Sequence, residues 1–233
     1  MQRKDNRKPD GLRPIRITKN YLKYAHGSAL VEWGNNIILC SAMIDNKVPP
    51  WLVGKGKGWI TAEYSMLPAS TSQRTQRERQ KIGGRTFEIQ RLIGRSLRAV
   101  ADLTKLPEKS IYIDCDVIQA DGGTRCASIT GAYIALFEAV KTLGPSSSIL
   151  KDSVCAVSVG MAQEKYLLDL DYSEDVAAKV DMNVAVTGQG EFVEIQGTGE
   201  EATFSKEELK KMLSLALKGI KKVKKIQDKV LKG

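Results

Sequence analysis

The stretch that most constrains this chain runs from Ser110 to Leu136, where an alternating strand passes through a glycine pair into a helix of small residues. In "SIYIDCDVI", Ile111, Ile113, Cys115 and Val117 fall on one face and Tyr112, Asp114 and Asp116 on the other, the pattern of a strand with one buried side. Gly122, Gly123, Thr124 and Arg125 follow, and then "CASITGAYIAL", a helix suited to close packing on a sheet. The junction has two readings. Glycines there supply backbone conformations that other residues resist. A helix N-terminus also carries unpaired N–H groups and partial positive charge, and glycines before it let an anion reach the backbone. The Arg125 guanidinium adds a planar fork matched to phosphate oxygens. Gly122, Gly123, Thr124 and Arg125 are thus either a phosphate cradle or a tight turn whose glycines serve conformation only.

The theme recurs upstream. In "GGRTFEIQRLIGR" the pair Gly83-Gly84 precedes Arg85 at the start of another helix, whose apolar stripe is Ile89, Leu92, Ile93, Leu97 and Val100. Two such pairs could converge on one anion or be unrelated turns. Arg91, Arg95 and Arg98 form a second face of that helix, suited to solvent, a subunit or RNA. Residues 69–84 are polar and basic, a long loop in which Arg74, Arg77 and Arg79 suit a phosphodiester backbone. The stretch offers no aromatic stacking partner, and a solvated loop explains the charge equally well.

A third feature is acidic. "LDLDYSEDVAAKVDMNV" crowds Asp169, Asp171, Glu174, Asp175 and Asp181. Composition alone favours a solvated loop. Crowded carboxylates also raise a proton affinity or demand a cation, and either outcome serves phosphoryl chemistry.

Around these features the chain reads as an α+β domain. A hairpin is expected from Ser28–Trp33 and Ile37–Ile44 about Gly34-Asn35-Asn36, with strands at 154–162 and 165–170 and a hairpin about Gly188-Gln189-Gly190. Residues 1–14 are an extended basic arm. Ser205 and Glu208 make a capping box for a C-terminal helix over about 205–231, and residues 1–233 are expected to form a single domain. The formal charge of +9 points to anionic partners, although part of it sits in C-terminal lysines. Four cysteines without CxxC spacing exclude a disulfide framework and fit reduced, buried thiols in the cytoplasm. The N-terminus lacks a secretory pattern, and no apolar run approaches the ~20 residues of a membrane helix. One histidine, His26, excludes mechanisms that need two.

"GWITAEYSMLP", "GGRTFEIQRLIGRSLRAV", "DCDVIQADGGTRCASITGAYIAL" and "LDLDYSEDVAAKVDMNV", in that order from about Arg7 to about Gly199, resemble the ribonuclease PH family. The resemblance implies a ribosomal protein S5 domain 2-like βαβα fold with a two-layer sandwich core. It implies a homohexamer, a trimer of dimers. It also implies a tRNA nucleotidyltransferase that shortens RNA from the 3′ end, with inorganic phosphate as co-substrate and nucleoside diphosphates as products. Its RNA partners are tRNA precursors with 3′ single-stranded ends, and rRNA; no membrane is involved. The family's phosphate-binding residues fall on Arg85, Gly123, Thr124 and Arg125. Its catalytic aspartates fall on Asp175 and Asp181, which are also the expected Mg²⁺ ligands, and its RNA-binding arginines on Arg74, Arg77 and Arg79. Where family members usually carry an arginine after the "SMLP" proline, this chain has Ala69-Ser70-Thr71. Alternatives are a catalytic ring subunit of an exosome-like complex and a non-catalytic RNA-binding ring protein; such non-catalytic relatives lack the phosphate arginine or the aspartates.

Overall fold

A computed structural model of the chain describes residues 3–78, 81–144, 148–162, 165–199 and 202–233. Five strands make a first sheet: β1 (Ile15–Lys19), β2 (Gly27–Trp33), β3 (Asn36–Asp45), β4 (Trp59–Met66) and β5 (Ser110–Gln119), in the order β1-β2-β3-β5-β4. β1, β2, β3 and β5 pair antiparallel. β4 joins β5 parallel, Trp59 opposite Ser110, which requires a crossover. That crossover carries α1 (Gly84–Ala99). The alternation in β5 is realised: Ile111, Ile113, Cys115 and Val117 are buried, and Tyr112 is 42% exposed. The β2–β3 turn needs only Gly34 and Asn35, with Gly34 at φ +58.

After α2 (Thr124–Lys141) comes a second, antiparallel sheet ordered β7-β6-β8-β9. Its strands are β6 (Val154–Ala162), β7 (Lys165–Leu168), β8 (Val180–Thr187) and β9 (Phe192–Gly199). β7 is shorter than the strand expected over 165–170. The short α3 (Tyr172–Val176) separates β7 from β8, and α4 (Lys206–Lys232) closes the chain with the Ser205–Glu208 capping box formed.

α2 lies between the sheets, packed on β2 and β3 and on β6. Its small residues make this possible: a Cβ on Gly131 would stand 2.4 Å from Val31 Cγ2 and 2.8 Å from Cys40 Sγ. Fifteen of its 18 residues are buried. The stripe of α1 is buried as expected, and all nine residues of β6 are covered, with α2 and α4 both packed on it. One continuous hydrophobic cluster contains side chains from both sheets.

The segment before β1 docks on the molecule. Arg3 and Arg13 are each 5% exposed. Arg3 donates to both carboxylate oxygens of Glu174 at 2.7 Å. Asp169, 2% exposed and at φ +59, accepts from Arg13 Nη2 at 2.7 Å, from the Arg13 backbone N–H at 2.6 Å and from Trp33 Nε1 at 3.0 Å. A buried carboxylate demands such partners, and the basic arm, with Trp33 of β2, supplies them.

Candidate active site

The two glycine pairs have different local reasons. Gly122 and Gly123 both take left-handed conformations, φ +72 and +71. A Cβ on Gly122 would lie 2.6 Å from the Asp171 carbonyl carbon and 2.7 Å from the Tyr172 nitrogen. These glycines therefore shape the turn and let it touch the start of α3. Gly83, which caps α1, is extended at φ −66, and Gly84 has open space around it. Neither α1 nor α2 has a side-chain cap among the described residues, so the first N–H groups of both are left for another acceptor.

Both helix starts open on one cleft of about 850 Å³. It takes in Arg85, Gly123, Thr124, Arg125, Asp175 and Asp181. Arg85 stands in the first turn of α1, and Asp175 near the end of α3. Asp181 and Asn183 share a face of β8, opposite Gly160 and Ser158 of β6. All six residues proposed from the sequence for phosphate and catalysis thus border a single space. Arg74 and Arg77 are on the loop before α1 and do not line the cleft, although Met66 and Thr71 at the root of that loop do. Arg79 lies outside the described residues.

The five acids divide into two groups. Asp169 and Glu174 are bound by arm arginines. Asp171 caps α3 in a box with Glu174. Burial opposes its charge, yet hydrogen bonds from Ser173 and the Glu174 N–H, with Arg13 nearby, hold its carboxyl below the usual range. Only Asp175 and Asp181 face the cleft.

Several cleft residues escape a sequence reading. Arg125 Nη1 donates to Gln196 Oε1 at 2.5 Å and lies 3.5 Å from Glu88 Oε2, while Gln196 Nε2 donates to Glu88 Oε1 at 3.1 Å. Glu88 is three residues from Arg85, on the same helical face. Gln196 is opposite Asn183 in the β8–β9 register, so pairing that hairpin would have found it. Lys179, between the two aspartates in the sequence, also lines the cleft. The Tyr64 hydroxyl lies 2.9 Å from Thr124 Oγ1, and burial raises its pKa, so it stays a neutral partner. The arm also reaches this site: Arg13 donates to the backbone carbonyls of Asp121 and Gly122.

Uncapped helix starts and two arginines suit an anion bearing several oxygens. Two carboxylates nearby are hard oxygen donors, the set that holds Mg²⁺ together with water and substrate phosphates. No cluster of three or more His, Cys, Asp or Glu side chains makes a larger metal cage among the described residues.

Comparison with known proteins places this architecture. Residues 11–141 match domain 1 of the 3′ exoribonuclease family and residues 152–219 match its domain 2. Ribonuclease PH of Bacillus subtilis strain 168 is 56% identical, with 98% of this chain and 96% of that protein aligned. Ribonuclease PH of a Hydrogenobaculum species is 54% identical over 97% and 91%. The chain belongs to the ribonuclease PH family of 3′ exoribonucleases. Among solved structures, rice Rrp46 superposes with a TM-score of 0.83 at 21% identity, covering 99% of this chain and all of that one. An Archaeoglobus fulgidus exosome with RNA bound gives 0.82 at 20% identity, over 96% and 92%. These two share the fold.

Proposed function

We propose that the cleft performs the family's reaction, phosphate-dependent removal of nucleotides from the 3′ end of RNA, with 3′-extended tRNA precursors as substrates and rRNA as a further one. One observation carries the reading: Arg85, Arg125, the uncapped starts of α1 and α2, Asp175 and Asp181 border one space. Arg85 and the Gly123–Arg125 turn hold inorganic phosphate. An oxygen of that phosphate bonds to the last internucleotide phosphorus, the P–O3′ bond breaks, and a nucleoside diphosphate leaves. The shortened chain keeps a 3′ hydroxyl, whose proton comes from Asp175 or Asp181. Both reactants are anions, so preorganised positive charge suppresses their repulsion before the bond forms. Asp175 and Asp181 would hold Mg²⁺, which when bound neutralises charge on the phosphate oxygens.

Arg74, Arg77 and Arg79, in the segment that leads into α1, guide the single-stranded end towards the cleft. A homohexamer, three dimers in a ring, fits the apolar side chains left on the outer face of the first sheet, Met43, Tyr112 and Ile118, each 37–42% exposed. Four buried thiols suit the cytoplasm, and no helix among the described residues is long and apolar enough to cross a membrane.

The test is incubation of a 3′-extended tRNA with and without phosphate. Nucleoside diphosphates formed only with phosphate support the reading; monophosphates without phosphate overturn it. Arg85→Ala should lower kcat/KM for phosphate about 10²–10³-fold while RNA binding persists. Unchanged activity at low phosphate would contradict the role given to Arg85.

A further inference from the structure

Most of the chain's net charge lies away from the cleft. The helix Lys206–Lys232 holds ten lysines and no arginine against Glu207, Glu208 and Asp228, a net +7 out of +9 for the whole chain. None of its residues lines the cleft. Glu207 pairs with Lys210, and Asp228 with Lys224. Lys218, Lys221, Lys225 and Lys229 are exposed, and none has an acidic partner within 4 Å among the described residues. Spaced three, four and four residues apart, they fall on one helical face and span about 16 Å. Like charges at that spacing destabilise a helix by about 0.2–0.5 kcal/mol per pair, whereas interleaved glutamates would have stabilised it.

The stripe runs into a groove of about 580 Å³ between β1 and the end of α4, where Lys225 and Lys229 face Arg16 and Lys19. No acidic side chain lines the groove among the described residues; Glu32, paired with Arg16, and Glu138, 3.8 Å from Lys19, lie outside its lining. The apolar face of α4 is already used: Met212, Ala216, Ile220 and Val223 are buried against the sheets. A helix that lies in a lipid surface needs that face free, so the charge complementarity favours a nucleic-acid backbone.

We propose that Lys218, Lys221, Lys225 and Lys229 form a second RNA-binding surface, which grips phosphates of the folded body of the substrate while its 3′ end occupies the cleft. This rests on the function proposed above. Lysines on an open helix face read backbone charge and not base sequence. The surface therefore serves RNAs with a structured body and is idle for a short single strand, which the cleft and its loop hold alone.

The experiment replaces the four lysines together by glutamine, which keeps helix propensity, and in a second variant by arginine, which keeps charge. Each protein degrades a 3′-extended tRNA and a short unstructured oligoribonucleotide with phosphate, over a range of salt. The glutamine variant should raise KM for the tRNA about tenfold or more and leave kcat and the oligonucleotide KM unchanged. It should also lower the salt slope by about one for each phosphate no longer neutralised. The arginine variant should match wild type. An unchanged tRNA KM, or equal losses on both RNAs, overturns the proposal. So does loss of binding to anionic phosphatidylserine vesicles with unaltered tRNA kinetics, which would assign the stripe to membranes. Failure of the wild type to degrade either RNA would instead sink the function on which the proposal rests.

Discussion

Arg13 and Asp169 form a buried ion pair, 2.7 Å between Nη2 and Oδ1, that ties the N-terminal arm to the corner between β7 and α3. Arg13 also donates to the Asp121 and Gly122 carbonyls before α2, so one guanidinium spans two walls of the cleft. Removing one partner of such a pair leaves the other buried and uncompensated. Arg13→Ala should reduce stability by about 3–5 kcal/mol, and adding Asp169→Asn should restore part of the loss. Urea unfolding of the single and double variants measures the coupling; additive losses would show that the two residues act independently.

Gly122→Ala meets two obstacles, a left-handed φ of +72 and backbone atoms of Asp171 and Tyr172 within 2.7 Å of the new Cβ. Strain of this kind amounts to about 1–3 kcal/mol, and it pushes apart α3, which bears Asp175, and the start of α2. A lower Tm together with lost phosphate-dependent activity is expected. Gly84→Ala has open space and no positive φ, and its Tm should stay near wild type.

Glu88 lies 3.5 Å from Arg125 and is held by Gln196. In the proposed reaction its carboxylate would compete with phosphate for the same guanidinium. At 40% side-chain exposure the pair is screened by water. Glu88→Gln should lower the KM for phosphate about two- to fivefold and leave kcat close to wild type. A raised phosphate KM would instead assign Glu88 to orienting Arg125.

The four cysteines are free and buried. Burial pushes the Cys126 and Cys155 thiols up to about 12. Only ~1 in 10⁴ is then thiolate at pH 8, and the thiolate is the reactive form. Native protein should resist alkylation at pH 8, while denatured protein takes up four labels. The folded pKa values are raised, so the stabilisation is complete below the ordinary thiol value of 9.0 and is lost as pH climbs from there through about 12. Alkaline unfolding in that window, followed by circular dichroism, checks the sign.

Much of this arrangement could be read from local pattern. The β5 alternation, the stripe of α1 and the Ser205 capping box each depend on residues a few positions apart, and each formed where expected. The parallel pairing of β4 with β5 could not be read in this way, because it joins segments separated by all of α1. The acidic stretch was legible as a cluster but not as two groups, since its division depends on arginines more than 150 residues earlier in the chain. Gln196 and Glu88 acquire their relation to Arg125 only through tertiary packing.

Because α2 is enclosed by both sheets, its first turn cannot move alone. Any shift of Arg125's backbone must open the core, which places the hydrogen-bonded amides further along α2, and not the free N–H groups of its first turn, among those that exchange with solvent only on the largest openings. The substrate end must therefore adapt to a fixed floor, and whatever flexibility turnover requires falls to the loop before α1 and to the RNA itself.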